Sequence, residues 1–95
     1  LADGFIGLPG GFGTLEEMLE VMTLKQLGYH EKPIVFLNTD GYYSRLFEMF
    51  EHIYDENFAK AEYRQLYHIS ETPEDAMAYL SNYQPPALPD KWFVG

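Results

Sequence analysis

A glycine-rich segment between an apolar run and a helical pattern contains the residues of this sequence that could do chemistry. The apolar run covers residues 5–8, and residues 9–17 follow at once, with glycines at positions 10, 11 and 13. Glycine allows a tight, positive-φ backbone and the close approach of a ligand. Because the pattern turns helical behind the glycines, the loop N–H groups and the positive end of the helix dipole point to one spot. Such a spot favours an anion, most often a phosphate.

Two interpretations of this segment compete. The spacing matches neither G-x-G-x-x-G nor the P-loop motif, because no Lys follows Gly13. A strand, a glycine-rich turn and a carboxylate on the first helical turn together indicate a nucleotide site in which Glu17 faces the sugar. Thr14 and Glu17 also have the spacing of a capping box, in which each side chain satisfies a backbone N–H group. From the residues alone, Glu17 is either a helix cap or a ligand-binding group, and the glycines either bind phosphate or only turn the chain.

Length and composition limit the fold and the partners. The chain has 95 residues, enough for one domain or part of one, and its 46% hydrophobic content is typical of a globular protein. Fifteen acidic against six basic residues give a net charge of −9, which argues against nucleic-acid binding. Cysteine is absent, so no disulfide is predicted, in keeping with a cytoplasmic protein. No membrane span and no signal peptide is visible.

Behind the glycines, the sequence predicts an amphipathic helix over residues 14–27, with Gly28 as its C-terminal stop. The apolar side chains that repeat at i, i+3, i+4 and i+7 are Leu15, Met18, Leu19 and Met22. Val21 and Leu24 project to a second apolar face, which flanks Glu17. We expect one face to pack on a sheet and the other on a second subunit.

The rest of the chain alternates strand and helix patterns. Apolar runs at 34–37 and 66–69 predict strands, and periodic segments at 42–58 and 73–83 predict helices, the last with Thr72 as N-cap and Pro73 at its first position. A proline-rich tail at 84–89 is predicted to be extended. The order β-α-β-α-β-α predicts an α/β fold with a doubly wound parallel sheet. With so few strands, we expect residues 1–95 to be the C-terminal part of one larger domain, or to need a partner that covers their apolar surface.

Two other sets of polar residues could bind ligands, and neither is predicted to do so. Asn38 and Asp40 follow the second predicted strand at the same sheet edge as the glycines. Turn chemistry accounts for both residue types and is the interpretation we favour. His30, His52 and His68 lack metal-ligand spacing, so we expect surface or packing roles and predict no metal site.

The glycine-rich segment resembles a known family signature. Residues 9–17 read Pro-Gly-Gly-Phe-Gly-Thr-Leu-Glu-Glu and match the P-G-G-x-G-T-x-x-E signature of the LOG ("lonely guy") family. These are cytokinin riboside 5′-monophosphate phosphoribohydrolases, long labelled possible lysine decarboxylases. The resemblance continues through residues 19–21, 26–28, 32–33 and 38–43, and so covers most of the chain. It implies a Rossmann-like, nucleotide-binding homodimer that hydrolyses the N-glycosidic bond of an N6-modified adenosine 5′-monophosphate to a free base and ribose 5-phosphate.

The resemblance also implies roles for individual residues. The phosphate- and substrate-binding residues would be those of the signature: Gly10, Gly11, Phe12, Gly13, Thr14, Glu16 and Glu17. Of these, the three glycines and Thr14 would bind the phosphate. Glu17 would be the catalytic carboxylate, which stabilises the positive charge that develops on the ribose or activates the attacking water. No cofactor is implied, and no residue marks a cofactor-bearing Lys such as a decarboxylase would need.

One motif of the family does not occur in this sequence. The R-K-x-x-M motif lies upstream of the first strand in the family and supplies its catalytic Arg. Arg45 and Arg64 lie on later segments and are predicted to be surface residues. The whole protein would then be the enzyme, and this segment would carry half of its site. Two alternatives remain: a module that binds a nucleotide without turnover, and a structural half-domain whose glycine loop only turns the chain.

Overall fold

The computed structural model describes residues 4–85. Three parallel strands form one sheet in the order β1-β2-β3, with helices between them. In chain order the elements are β1 (Phe5–Gly7), α1 (Phe12–Gln26), β2 (Ile34–Leu37), a 3-10 turn (Thr39–Gly41), α2 (Ser44–Asp55), a 3-10 helix (Ala61–Leu66), β3 (His68–Ser70) and α3 (Pro73–Ser81). The predicted α/β fold with a parallel sheet, consistent with a Rossmann-like domain, is confirmed.

α1 packs closely on one face of the sheet. Phe5 pairs with Ile34 and Gly7 with Phe36, so these four residues share a face. A Cβ atom at Gly7 would lie 2.9 Å from the side chain of Met18, which is buried on α1. The strand therefore needs glycine at this position because the helix lies directly over it.

α3 covers the opposite face. Ile6 alternates with Phe5 and Gly7 along β1, and its side chain lines a small space together with Met77 and Leu80 of α3. Helices thus lie on both sides of the sheet, as the doubly wound arrangement predicts.

β2 is the centre of the core. All four of its residues are buried, and Ile34, Val35 and Phe36 have no exposed surface. The Phe36 ring packs edge-on against the rings of Tyr43 and Phe47, with centroids 5.2 and 5.4 Å apart. Complete burial of one such side chain contributes roughly 1.5–3 kcal/mol, so this strand is the main hydrophobic anchor of the fold.

α1 and α2 end in the same hydrogen-bonded motif. After α1, Gly28 has a φ of +88°, and the N–H of Tyr29 donates to the Leu24 carbonyl oxygen at 2.9 Å. After α2, Asn57 has a φ of +64°, and the following N–H closes the same kind of bond at 3.0 Å. A left-handed residue in this position is typical of the Schellman motif. The predicted stop at Gly28 is confirmed.

The start of α3 is also as predicted, and its end is close to the predicted one. Thr72 is the N-cap, its Oγ1 accepts a hydrogen bond from the Asp75 N–H at 3.1 Å, and Pro73 occupies the first turn. The helix ends at Ser81, two residues before the predicted end. Of the predicted extended tail, residues 86–89 lie outside the described residues.

Two boundaries in the second half of the chain differ from the prediction. The helix predicted over 42–58 is confined to Ser44–Asp55, because a 3-10 turn precedes it and Asn57 ends it. The strand predicted over 66–69 begins at His68. Leu66 instead closes a 3-10 helix, in which its side chain is buried together with Tyr63.

The core-facing side of α1 is rotated from the predicted one. Met18 is buried, and Val21 and Met22 pack against the core, whereas Leu19 is exposed. The prediction that Val21 belongs to a free second face is therefore wrong. Leu24 remains on the outside of the helix.

Lys25 is an unexpected member of the buried side of α1. The residue is 1% exposed, and its Nζ donates to the Leu66 carbonyl oxygen at 3.1 Å and to the Tyr83 hydroxyl at 2.9 Å. Burial lowers the pKa of Lys25 from 10.5 to about 8, against the opposing effect of the Glu31 carboxylate. These contacts tie the last turn of α1 to the chain before β3 and to the chain after α3.

We expect the free energy of unfolding of the full-length protein to rise by about 2 kcal/mol between roughly pH 8 and pH 10 because of Lys25. In this window the unfolded chain still binds the proton that the folded chain has released, so raising the pH favours the folded state. Urea unfolding of the unsubstituted protein and of Lys25→Met measures the effect, since Met keeps the apolar stem and does not titrate. The same pH dependence in both proteins would contradict it.

Candidate functional site

Two loops enclose a cleft at the carboxyl edge of the sheet. β1 and β2 are parallel neighbours, so the chain leaves both strands at this edge, where α/β proteins bind ligands. The cleft has a volume of about 330 Å³. It is lined by Gly10, Gly11, Phe12, Leu15, Tyr42, Tyr43 and Leu46.

The glycine-rich loop runs directly into α1. Gly11 is the N-cap, its carbonyl oxygen accepts a hydrogen bond from the Leu15 N–H at 3.2 Å, and no side chain caps the helix. Within the described part of the chain, no acceptor lies against the N–H groups of Gly11, Phe12, Gly13 or Thr14. Uncapped N–H groups at the positive end of a helix dipole can bind an anion.

The capping box considered for Thr14 and Glu17 is not formed. α1 begins at Phe12, two residues before the predicted start, because the extended backbone of Gly11 serves as the N-cap. Thr14 therefore lies inside the first turn, and Glu17 lies in the second turn, where the N–H groups already have intrahelical acceptors. This result removes the structural role that competed with a ligand-binding role for Glu17.

The three loop glycines differ in what the fold requires of them. The positive-φ glycines of the described chain are Gly28 and Gly41, so the loop does not use the positive-φ backbone that its glycines allow. A Cβ atom at Gly10 would lie 2.5 Å from Thr14 Oγ1, whereas one at position 11 or 13 would have no atom within 4 Å. Packing thus explains glycine at position 10 only. At positions 11 and 13 the missing side chain leaves the backbone open to a ligand.

Two tyrosines hold the glycine-rich loop from the neighbouring strand. The Tyr42 hydroxyl donates to the Gly10 carbonyl oxygen, and the Tyr43 hydroxyl donates to the Leu8 carbonyl oxygen. Tyr43 is buried against Phe36, and burial, with a further contribution from Tyr42, raises the pKa of its hydroxyl. Tyr43 therefore remains a hydrogen-bond donor at neutral pH.

Asn38 positions these tyrosines. Its side chain is buried, its Oδ1 accepts a hydrogen bond from the Tyr43 N–H at 2.6 Å, and its Nδ2 donates to Ser44 Oγ and Glu71 Oε2, each at 3.3 Å. Asp40 has a φ of +54°, a turn conformation that Asp tolerates. The interpretation of this pair as turn chemistry is confirmed for both residues.

The side chains of the signature do not all reach the same space. Phe12 is 92% exposed at the mouth of the cleft, and Glu16 is exposed on the helix surface. Glu17 lines a neighbouring space of about 370 Å³ with Phe5 and Ile6. In the described part of the chain, no strand pairs with this edge of β1. The structure thus brings Gly10, Gly11 and the two tyrosines together at one cleft and places Glu17 on the adjacent side of α1.

The other charged and imidazole side chains have surface or packing roles. Arg45 is exposed, and Arg64 forms an ion pair with Glu51 and lies 4.7 Å from the centre of the Tyr54 ring. Their expected surface positions are confirmed. His30 Nε2 donates to the Val21 carbonyl oxygen at 2.9 Å while Nδ1 accepts from the backbone.

His68 and His52 complete this set. The His68 ring stacks on Tyr79, with centroids 4.0 Å apart, and its Nε2 lies 3.2 Å from Asp75 Oδ2. His52 is exposed on α2. Among residues 4–85, no three acidic or imidazole side chains are grouped so that they could hold a metal ion. No helix in that range combines the length and the apolar character needed to cross a bilayer.

The tyrosine pair is the part of the site that sequence reasoning missed. Residues 38–43 were interpreted as a turn that leads into a helix, with no role toward the glycines. The signal was available, because two aromatic residues with hydroxyl groups follow a turn at the same sheet edge as the glycine-rich segment.

Comparison with known proteins places the chain in a family. A protein-family model described as "Possible lysine decarboxylase" matches residues 1–80. The chain is 43% identical over 84 residues to a probable cytokinin riboside 5′-monophosphate phosphoribohydrolase of Oryza sativa subsp. japonica. It is 44% identical over 84 residues to a cytokinin riboside 5′-monophosphate phosphoribohydrolase of Arabidopsis thaliana. Each match covers 88% of this chain, but only 34% of the rice protein and 39% of the Arabidopsis protein.

We expect alanine substitutions at two of the loop glycines to have opposite effects on stability. Gly13→Ala should keep the fold and raise the free energy of unfolding by up to about 1 kcal/mol, because the space is open and Ala favours a helix. Gly10→Ala should lower it by about 1–3 kcal/mol, because the new methyl group would overlap Thr14. Thermal unfolding of the two variants compares them directly. A similar loss in both would mean that packing also requires glycine at position 13.

Proposed function

The chain belongs to the LOG family, which the "Possible lysine decarboxylase" model represents, and we propose that the full-length protein is a nucleotide N-glycosidase. Its reaction would be the hydrolysis of the N-glycosidic bond of an N6-modified adenosine 5′-monophosphate. The products would be a free cytokinin-type base and ribose 5-phosphate. The observation that carries this proposal is a set of backbone N–H groups within the family's glycine signature that have no hydrogen-bond acceptor in the described part of the chain.

The glycine-rich loop would bind the 5′-phosphate. Gly11, Phe12, Gly13 and Thr14 offer backbone N–H groups, and positions 11 and 13 have no side chain to block the approach of the phosphate oxygens. Backbone donors also explain how a chain with a net charge of −9 could bind an anion. Glu16, next to the loop on the exposed surface, belongs to the same proposed set of substrate-binding residues.

Glu17 would be the catalytic carboxylate. Cleavage of an N-glycosidic bond builds positive charge on the ribose, and a carboxylate near the sugar stabilises that charge or activates the attacking water. Glu17 is exposed one and a half turns along the helix that would hold the phosphate, and it serves no capping bond. The carboxylate is thus available to a sugar whose phosphate lies at the start of α1.

The full-length protein would act as a homodimer. Leu24 and Leu27, at the end of α1, are 36% and 43% exposed, and Tyr29 beside them is 76% exposed. Leu24 is the residue of the predicted second face that the core leaves exposed, and Leu27 and Tyr29 extend it to an apolar surface at this end of the helix. We propose it as part of the contact between subunits of a cytoplasmic enzyme, with no nucleic acid or membrane among its partners.

We expect AMP to bind to the full-length protein much more tightly than adenosine, because the loop donors address the phosphate. Isothermal titration calorimetry with the two ligands measures this difference directly. Equal affinities would contradict a phosphate site in the glycine-rich loop. Tight AMP binding without turnover of N6-substituted AMP would favour the nucleotide-binding module instead.

We expect Glu17→Gln in the full-length protein to lower the turnover of an N6-substituted AMP by about 10²–10⁴-fold. The amide keeps the size of the side chain but removes the negative charge that the developing ribose cation needs. Because Glu17 caps no N–H group, the melting temperature and the affinity for AMP should change little. Glu48→Gln, which changes an exposed carboxylate on α2 away from Glu17, is the matched control and should turn over substrate normally. Near-normal turnover by the Glu17 variant would end the catalytic assignment.

A further inference from the structure

The Tyr42 hydroxyl is the side-chain group that contacts the backbone at the centre of the glycine-rich loop. Tyr42 follows the 3-10 turn after β2, and its own N–H donates to the Thr39 carbonyl oxygen at 3.1 Å. Its hydroxyl donates to the carbonyl oxygen of Gly10. The residue is 54% exposed, and its ring packs edge-on against Tyr43 at 5.1 Å. Most of the ring therefore contributes little to the core, whereas the hydroxyl group forms a hydrogen bond to the loop.

This hydrogen bond fixes the direction of a neighbouring donor. The Gly10–Gly11 peptide is planar and trans, so its carbonyl and N–H groups point in opposite directions. With the Gly10 carbonyl turned toward Tyr42, the Gly11 N–H must point away from Tyr42. A glycine–glycine peptide has few steric limits of its own. Because neither glycine has a side chain to restrict this peptide, the Tyr42 hydroxyl restricts its orientation.

The carbonyl group that Tyr42 holds is also the one that a longer helix would use for a second donor. In a longer helix, the Thr14 N–H would donate to the carbonyl oxygen four residues earlier, which is that of Gly10. That carbonyl is bonded to Tyr42 instead, and α1 begins only at Phe12. The Thr14 N–H is thus left without an intrahelical acceptor at the end where the phosphate is proposed to bind.

We propose that Tyr42 is a positioning residue of the phosphate site, which orients the Gly10–Gly11 peptide so that the Gly11 and Thr14 N–H groups face the anion. This inference rests on the proposed function, since those donors need a phosphate to bind. Tyr42 itself does not contact the reacting atoms. Its hydroxyl acts through the backbone of the loop.

Tyr43 provides an internal comparison. Its hydroxyl bonds the carbonyl oxygen of Leu8, but the next residue is Pro9, so that peptide has no N–H group to orient. Tyr43 is also 5% exposed and packs against Phe36. Loss of its hydroxyl should therefore act first on stability, whereas loss of the Tyr42 hydroxyl should act first on phosphate binding.

The test measures AMP and adenosine affinity by calorimetry, and melting temperature, for the full-length protein and three variants. Tyr42→Phe should weaken AMP binding about three- to tenfold, the usual effect of one hydrogen bond, with adenosine affinity and melting temperature nearly unchanged. Tyr43→Phe should lower the melting temperature more than Tyr42→Phe and weaken AMP binding less. Tyr79→Phe on α3, whose hydroxyl has no hydrogen-bond partner in the described part of the chain, keeps the ring that stacks on His68 and should match the unsubstituted protein.

The possible results separate this inference from the proposed function. If the unsubstituted protein binds AMP no better than adenosine, the phosphate site fails and Tyr42 has nothing to position. If AMP binds through its phosphate but Tyr42→Phe and Tyr79→Phe bind it equally, the phosphate site stands and the role of Tyr42 is overturned. If Tyr42→Phe weakens AMP and adenosine binding equally and also lowers the melting temperature, the residue is only structural and the inference is overturned as well.

Discussion

Parallel pairing of β1 with β2 is the constraint on which the rest of the structure depends. Because the two strands run side by side in the same direction, the glycine-rich loop and the turn at Asn38 leave the sheet at one edge. The full burial of β2 fixes the position of that edge. Only with the loops adjacent can the hydroxyl groups of Tyr42 and Tyr43 reach the carbonyl oxygens of the glycine-rich loop. The pairing of the two strands thus brings the parts of the site together, and no single motif forms the site alone.

The glycines of β1 and of the loop that follows it differ in what surrounds them. A side chain at Gly7 would overlap Met18, and one at Gly10 would overlap Thr14, so packing requires glycine at both positions. Gly11 and Gly13 have open space around them, and no intrahelical bond uses their N–H groups. Leaving donors unpaired lowers the stability of a folded chain unless water or a ligand satisfies them. Such a loop is expected where binding, rather than folding alone, determines the sequence.

Features that depend on neighbouring residues could be predicted from the sequence, whereas contacts between distant residues could not. The strand at 34–37, the stop at Gly28 and the cap at Thr72 depend on neighbouring residues, and all three were predicted. The start of α1 was placed at Thr14 because a capping box suits that spacing, whereas the extended backbone of Gly11 begins the helix earlier. Lys25 was missed because its burial depends on Leu66 and on the residue at position 83, which are distant in the sequence. The tyrosine contacts were missed for the same reason.

Backbone recognition of an anion has a further consequence for the chemistry. Backbone donors would bind a phosphate without adding a further full positive charge beside the ribose, where it would oppose the charge that develops on the sugar in the proposed reaction. In the part of the chain that the structure describes, Arg64 pairs with Glu51, Lys25 is buried at the far end of α1, and Arg45 is exposed on α2. No ion pair in residues 4–85 involves Glu17. In the proposed reaction, the N–H groups of α1 would hold the phosphate while the Glu17 carboxylate stays available to the charge that develops on the ribose, so one helix would provide both functions.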